Sequence, residues 1–445
     1  MSSSRKNSFY FIAFTAISCV LYFLFAYFLK RESTLILFSA FAVLSGAYFF
    51  TINRAELLSE NYNHFVIVAF SLRLLFLFSI PALSDDFYRF IWDGRLIEEG
   101  ISPYSYLPNK IIKDQMIGGP SNMELFHKMN SPNYFSVYPP VLQLLFFISV
   151  KLSFGYDALA VINLRLFILL AELGTFIYLK KILDFLKINK TKIFLYFLNP
   201  LIIIELTGNL HFEAVMIFFL VASFYYLMLN RYSFSAVFIA LAISTKMIPL
   251  LFLPLILKKI GWKNGMVYSA FSAGIIILLF LPFIEKELIS NVGNSVSLYF
   301  QKFEFNASFY YLFREIGFKM VGYNTIGIIG KVLPIISTCL ILFVSFIGTK
   351  VTWQDFFKRA LTILFIYYLL SLVVHPWYVS LLVLLSIFVE NKFAIIWSIL
   401  IFGSYFAYNS TPFKECLWVN VVEYSVVILF FLFGSKKLKA INVFN

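Results

Sequence analysis

Apolar segments about 20 residues long recur along the whole chain, beginning with Phe9–Leu29, and this is roughly the length that a helix needs to cross a bilayer. Only helices and closed barrels satisfy their backbone hydrogen bonds in hydrocarbon, and these segments lack the alternation of barrel strands. The chain is 61% hydrophobic and 13% charged, whereas soluble domains carry about 25% charged residues. The sequence therefore predicts an all-α polytopic membrane protein, with about 12 to 14 transmembrane helices in a single domain over residues 1–445.

Positive charges between the apolar segments predict which side of the membrane each loop occupies. Arg5 and Lys6 precede the first segment, and five lysines lie between Lys180 and Lys192. Because cytoplasmic loops carry an excess of Lys and Arg, both places are expected in the cytoplasm, as is the tail Lys436–Lys439. Loop charges of this kind also account for the net charge of +13, so we expect no nucleic-acid partner.

Two long polar segments are expected on the outer side: residues 84–157, after a third span near 65–83, and residues 284–323. The first should bear short juxtamembrane helices, one of them near 141–154, which is too short for a comfortable span. With this topology the polar motifs SDD, WDGR, SPY, YPP, GNLHFE, STKMIP and HPWY all fall at or near the outer face. Cys19, Cys339 and Cys416 lack the spacing of metal ligands and indicate no disulfide framework.

A pair of carboxylates, Asp85 and Asp86, follows the third span directly. Such a pair suits a general base or a cation site, but Ser84 or Asp85 could equally serve as the N-cap of the next helix. Helical spacing places Asp86, Arg89 and Asp93 on one face of that helix. A helix with this much charge at a membrane surface is more polar than lipid contact requires.

Five motifs occur in the order SDDFYRFIWDGRLIEEGISPY, YPPVLQ, NPLIIIELTGNLHFE, LAISTKMIPLLFLP and HPWY. Together they resemble the GT-C superfamily of membrane glycosyltransferases, which use sugars linked to lipid phosphates. The similarity is greatest to the bacterial polyprenyl-phosphate-mannose-dependent mannosyltransferases and their relatives, including the GPI mannosyltransferases. It extends over residues 65–380 or so.

The resemblance implies a GT-C-type helical bundle with a catalytic Asp in the first large outer loop, which matches Asp85 or Asp86. In the simplest layout of the family this loop follows the first span, whereas here it follows the third. The implied reaction transfers a sugar, with mannose the expected one, from a polyprenyl-phosphate donor to a hydroxyl of a glycan, lipid or protein acceptor. A carboxylate base would deprotonate that hydroxyl, and cations would receive the leaving phosphate.

The residues expected to bind substrate are polar or aromatic and lie in or near these motifs: Arg89, Trp92, Asp93, Arg95, Tyr104, Tyr138, Glu205, His211, Glu213, Lys246, His375, Trp377 and Tyr378. Alternatives remain open for several of them. Lys246 could snorkel to the interface, Arg89 and Arg95 could form ion pairs with nearby acids, and the HPWY aromatics could belong to an interfacial belt. The His and Glu residues suit hydrogen bonds to sugar better than a metal site, so the cofactor is unknown and a divalent cation is not required by the sequence.

Two other functional classes compete with the glycosyltransferase reading. A transporter or flippase for a lipid-linked sugar should show inverted repeats, and none is evident. A polymerase or ligase of lipid-linked glycans would also keep a large outer loop, and the motifs alone do not separate it. The sequence therefore predicts an inverting glycosyltransferase in a bacterial inner or plasma membrane, with its active site on the outer side.

Overall fold

The computed structural model describes residues 3–301, 303–409 and 414–437, and these residues are predominantly helical. They contain no strand, only an isolated bridge between Phe305 and Val373. The expected Lys436–Lys439 tail extends outside the described residues. The all-helical prediction is confirmed.

The first half of the chain contains four helices before the Asp pair and four in the segment that follows it. These are α1 (Ser3–Tyr27), α2 (Thr34–Ile52), α3 (Ala55–Glu60), α4 (Tyr62–Leu74), α5 (Asp86–Glu98), α6 (Pro108–Lys113), α7 (Pro120–Lys128) and α8 (Pro140–Lys151). The next group is α9 (Asp157–Leu186), a 3-10 turn (Lys190–Ile193), α10 (Phe194–Phe197), α11 (Pro200–Ile202), a π-helical turn (Ile203–Gly208) and α12 (Glu213–Met228).

The second half begins with an apolar region whose helices are short and interrupted by a 3-10 turn. It contains α13 (Tyr232–Ile243), a 3-10 turn (Ile248–Phe252), α14 (Leu253–Ile260), α15 (Trp262–Phe280), a 3-10 turn (Leu281–Phe283), α16 (Leu288–Gln301), α17 (Phe309–Val321), α18 (Ile326–Phe346) and α19 (Trp353–Leu369). The chain continues with a 3-10 turn (Pro376–Tyr378), α20 (Val379–Leu385), a 3-10 turn (Ser386–Phe388), α21 (Phe393–Leu400), a 3-10 helix (Ile401–Asn409) and α22 (Leu417–Lys437).

Six of the described helices are long and apolar enough to cross a membrane: Arg5–Tyr27, Thr34–Ile52, Asp157–Leu186, Trp262–Phe283, Ile326–Phe346 and Leu417–Gly434. A helix pair bent by 53°, Lys190–Phe197 with Pro200–Gly208, makes a seventh if it is one span. Five shorter apolar helices accompany them among the described residues. The chain is therefore a polytopic helical membrane protein, while a count of about 12 to 14 crossings stays a prediction.

Two predicted segments differ from the structure. The third span was expected to reach residue 83, but α4 ends at Leu74. Pro81 disfavours helical geometry at the preceding residue, which is consistent with the turns that follow α4. Residues 284–323, expected as a second outer loop, contain α16 and α17.

The chain divides into two compact units. The first comprises Met1–Leu83, Phe176–Glu213 and His375–Asn445, and the second comprises Ser84–Thr175 and Ala214–Val374. The single-domain prediction stays a prediction. Within the first unit, fully buried Arg73 donates hydrogen bonds to the carbonyls of Ala69 (2.9 Å) and Phe197 (2.8 Å). The Arg73 guanidinium thereby binds the Phe197 carbonyl at the break in the bent helix pair. Carbonyls at the end of a helix lack an intrahelical partner.

Within the second unit, α5 packs along α8. The close approach depends on Gly94, since a Cβ built there would lie 2.6 Å from the Phe146 carbonyl oxygen. The ring of Phe90 stacks on that of Phe146 with centroids 4.6 Å apart. The helix that carries the Asp pair is therefore fixed against a second helix by direct backbone contact.

Candidate active site

The Asp pair stands at the start of α5, where Asp85 is the N-cap and Asp86 is the first helical residue. Both side chains are half-buried. The Asp85 carboxylate makes no capping hydrogen bond, whereas Ser84 Oγ accepts one from the Asp86 backbone N–H at 3.3 Å. Ser84 therefore takes the capping role that the sequence left open between Ser84 and Asp85, and neither carboxylate is needed for it.

Asp86 is oriented by a residue that sequence reasoning did not identify. The side-chain N–H of Asn130 donates a 2.9 Å hydrogen bond to Asp86 Oδ1. Asn130 follows α7 and lies 44 residues from Asp86 in sequence. An amide that donates to a carboxylate fixes its direction and leaves the second oxygen able to accept another proton or hydrogen bond.

Arg89 and Asp93 form a buried ion pair one turn apart on α5. Arg89 Nε lies 2.7 Å from Asp93 Oδ1, and the side chains are 3% and 0% exposed. Arg89 Nη1 also donates to the carbonyls of Ser131 (3.0 Å) and Tyr134 (2.9 Å). The guanidinium thereby holds the segment that contains Asn130, so it supports the Asp86 contact indirectly.

Asp93 is further bound by the YPP region. Its Oδ2 accepts hydrogen bonds from Ser136 Oγ at 2.5 Å and from Gln143 Nε2 at 3.1 Å. Gln143 also donates to the Tyr138 carbonyl at 3.3 Å. Because a buried ion is tolerated only when paired and hydrogen-bonded, this network accounts for the charge inside the segment.

Two tyrosines of the candidate set, Tyr104 and Tyr138, meet in the same region. Tyr104 is buried, and its hydroxyl donates to the Tyr138 carbonyl at 2.5 Å. Burial raises the pKa of the Tyr104 phenol above its ordinary value, so the phenol remains a hydrogen-bond donor at neutral pH. The Tyr138 ring packs edge-on against Phe90 and Phe146. The SPY and YPP motifs are thereby joined through side-chain and backbone groups.

Arg95 and Trp92 occupy structural positions on α5. Arg95 forms an ion pair with Asp157 and donates to Asn122 at 2.7 Å and to Ser121 at 3.0 Å. Trp92 is fully buried, and its indole N–H has no hydrogen-bond partner among the described residues. Their predicted contact with substrate stays a prediction.

Lys246 lies in the turn between α13 and the following 3-10 turn, and its side chain is half-buried. The neighbouring Ser244 carbonyl accepts a 3.0 Å hydrogen bond from the Val141 backbone N–H at the start of α8. The STKMIP tip is thus bonded to the YPP motif, although a hundred residues separate them. Within the second unit, hydrogen bonds connect the segments that carry Arg89, Asp93, Tyr104 and Tyr138, and Asn130 adds Asp86 to them. Lys246 is two residues from Ser244, whose backbone is bonded to this region.

A second group of candidate residues belongs to the first unit. Glu205 is fully buried in the π-helical turn and accepts hydrogen bonds from Tyr405 (2.7 Å) and Asn209 (3.2 Å). His211 Nε2 lies 3.4 Å from Glu205 Oε2, close enough for attraction but not aligned as a hydrogen bond. Glu213 is also buried and begins α12, where the helix dipole favours an anion.

The HPWY motif packs against this group. The Trp377 ring lies between the imidazoles of His211 and His375, with centroids 3.6 Å and 4.4 Å away. Tyr378 meets His375 edge-on at 5.4 Å. His375, Trp377 and Tyr378 are half-buried, so the stack still presents aromatic surface. In the described residues, no group of three His, Cys, Asp or Glu side chains is arranged to hold a metal ion.

The helical fold and the apolar spans define a polytopic integral membrane protein with polar clusters built on helix ends. Residues 18–260 match the MptA/B family model, described as alpha-(1->6)-mannopyranosyltransferase, N-terminal domain. The match covers more than half of the chain, and the chain belongs to this family. Its activity is accordingly mannosyl transfer from a sugar donor to a glycan acceptor. No curated protein and no solved structure matches the chain significantly.

The matched region includes the Asp pair, the YPP motif, Glu205 and Lys246. This confirms the predicted resemblance to GT-C-like mannosyltransferases. The HPWY motif and residues 284–323 lie beyond it.

Proposed function

We propose that this chain transfers mannose from a polyprenyl-phosphate donor to a hydroxyl of a glycan acceptor at the outer face of a bacterial inner or plasma membrane. The product linkage is α-(1→6), as in the description of the family. The observation that carries the proposal is the half-buried Asp86 carboxylate, which Asn130 orients at the start of a helix on the polar outer segment.

In this mechanism the acceptor oxygen attacks the anomeric carbon of mannose from the face opposite the phosphate. The C–O bond to the lipid phosphate breaks as the new glycosidic bond forms, so the configuration at that carbon inverts. Asp86 takes the proton of the acceptor hydroxyl. The polyprenyl phosphate leaves as an anion, and the carboxylate later releases its proton to water.

The remaining residues have supporting roles in the proposal. Lys246 lies beside the YPP motif and provides a cation for the leaving phosphate. Arg89 and Asp93 position the outer segment through their buried pair. Within the first unit, the cluster of His375, Trp377 and Tyr378, with Glu205, His211 and Glu213, has aromatic faces and polar atoms of the kind that bind a sugar ring.

Isosteric substitution of each Asp tests the assignment of the base. We expect Asp86→Asn to lower kcat about 10²–10⁴-fold with donor affinity preserved, because loss of general-base catalysis has this magnitude. The matched variant, Asp85→Asn, should retain most turnover. Both are measured by release of polyprenyl phosphate from purified protein. If both variants turn over within a few-fold of the parent, neither carboxylate is the base.

A further inference from the structure

A cavity of 350 Å³ opens on the second unit, apart from the Asp pair. Three stretches that are distant in sequence form it: the turn after the SPY motif with α6, the residue before Ser136, and the segment that leads into and begins α16. The lining residues used below are Ser105, Tyr106, Lys110, Phe135, Glu285, Glu287 and Asn291. The volume falls within the range of small-ligand sites, about 300–1,000 Å³.

Hydrogen bonds hold the walls of the cavity together. Ser105 donates to the Glu285 carboxylate, and Asn291 Nδ2 donates to the Tyr104 carbonyl at 3.0 Å. Tyr104 itself is buried and bonded to the YPP motif. The shape of the cavity is therefore fixed by hydrogen bonds, and one of them involves Tyr104, which also organises the candidate active site.

The lining combines aromatic rings with hydrogen-bond acceptors. Tyr106 and Phe135 are half-buried, while Glu285 and Glu287 are exposed. The carboxylates accept hydrogen bonds from hydroxyl groups, and the rings offer apolar surface to the C–H face of a pyranose. Lys110 also lines the cavity, and its ammonium lies 5.5 Å from the centroid of the Tyr106 ring. The lining therefore has two carboxylates and one ammonium, and the excess negative charge disfavours an anion such as a lipid phosphate. The combination suits a neutral ligand with many hydroxyls.

The chain between Phe135 and Asn130 limits the distance from the cavity to the proposed base, Asp86. Phe135 is five residues from Asn130, which bonds to Asp86. Five extended residues span at most about 18 Å. In addition, the Asn109 backbone N–H donates to the Pro132 carbonyl at 3.1 Å, so the segments on both sides of the cavity are tied to this stretch. An oligosaccharide could occupy both places at once.

We propose that this cavity is a subsite for a second sugar residue of the glycan acceptor, one that does not react. Tyr106 and Phe135 contact its apolar face, and Glu285, Glu287 and Asn291 bind its hydroxyls. The role of this sugar as part of an acceptor rests on the proposed function, whereas the binding of sugar to the cavity does not.

Direct binding tests the subsite without turnover. The probe is the methyl glycoside of α-(1→6)-linked trimannose, titrated calorimetrically into purified protein without donor. We expect Tyr106→Ala and Glu287→Gln each to raise Kd by about tenfold. Glu287→Gln is isosteric at an exposed position, so folding should persist. Lys286→Ala is the matched control, because Lys286 is exposed between the two carboxylates but does not line the cavity.

Measurements of turnover distinguish a failure of the subsite proposal from a failure of the proposed function. With a polyprenyl-phosphate mannose donor, the two variants should raise KM for trimannoside and leave KM for donor and turnover of methyl mannoside unchanged. Binding that is absent in the parent, or equal in the parent and Tyr106→Ala, overturns the subsite. Binding that depends on Tyr106, without transfer from any lipid-phosphate donor, supports the subsite and refutes the proposed function.

Discussion

At the scale of single residues, Lys246 offers the clearest choice between substrate contact and an interfacial role. If it receives the donor phosphate, Lys246→Ala should weaken binding of polyprenyl phosphate by about 10–100-fold, since a hydrogen bond to a charged group contributes about 1.5–3 kcal/mol. Thermal stability should change little, because the side chain is only half-buried. The measurement is calorimetric titration in detergent.

Two further variants sharpen this test. Lys246→Arg should recover most of the affinity because it keeps the charge. Lys263→Ala, an exposed lysine at the beginning of α15, should bind like the parent. An unchanged affinity in Lys246→Ala would assign this residue to snorkelling.

Helical periodicity was enough to predict that Arg89 and Asp93 share a face, and the structure pairs them. The bond between Asn130 and Asp86 could not be predicted, because it joins residues 44 apart through a segment without periodicity. Gln143 was visible within YPPVLQ, but its partner Asp93 depends on the packing of α8 on α5. Tyr405 lies in an apolar segment, and nothing in its local sequence indicates Glu205 as its partner.

At the scale of elements, the contact between α5 and α8 positions the Asp pair. We expect Gly94→Ala to lower the free energy of unfolding by about 1–3 kcal/mol, the usual cost of overpacking. The added Cβ would lie 2.6 Å from the Phe146 carbonyl oxygen and 2.7 Å from Val150 Cγ2. Thermal unfolding in detergent should show a lower midpoint than that of the parent.

Gly46→Ala provides the matched control within α2. A Cβ there meets nothing within 4 Å, and alanine is favoured over glycine in a helix by about 1 kcal/mol. Its midpoint should equal or exceed that of the parent. If Gly94→Ala also melts at or above the parent temperature, the close contact of α5 with α8 is not a determinant of stability.

Many element boundaries were predictable because local rules decide them. Pro140 begins α8 as proline favours a first helical turn, and Pro249 and Pro254 fall at the starts of short helical elements. The helices α16 and α17 were missed because their segment is too polar to be read as a span. Their stability depends on tertiary packing, which periodicity alone does not report.

At the scale of the whole molecule, the proposed orientation places residues 84–157 outside. Helix α9 contains 30 residues, which is about 45 Å of helix. Its last turns, from about Lys180 to Leu186, therefore extend beyond a hydrocarbon core about 30 Å thick. In a variant lacking Cys19, Cys339 and Cys416, Asn109→Cys should react with an impermeant maleimide in intact cells. Asn109 is exposed.

Asp184→Cys is the control from the opposite side. It is exposed near the end of α9 among the lysines expected inside, so it should react only after permeabilisation. The reversed pattern would place the Asp pair in the cytoplasm and remove the basis for an outer-face reaction.

The central claim, mannosyl transfer from a lipid-phosphate donor, is tested most directly by a donor panel. Purified protein is incubated with a mannoside acceptor and either polyprenyl-phosphate mannose or nucleotide-linked mannose. Mannosylated product and released polyprenyl phosphate are quantified together, with Asp86→Asn as the inactive control. The account predicts equal amounts of product and polyprenyl phosphate from the lipid donor and no product from the nucleotide donor. Transfer from the nucleotide donor, with none from the lipid donor, would contradict it.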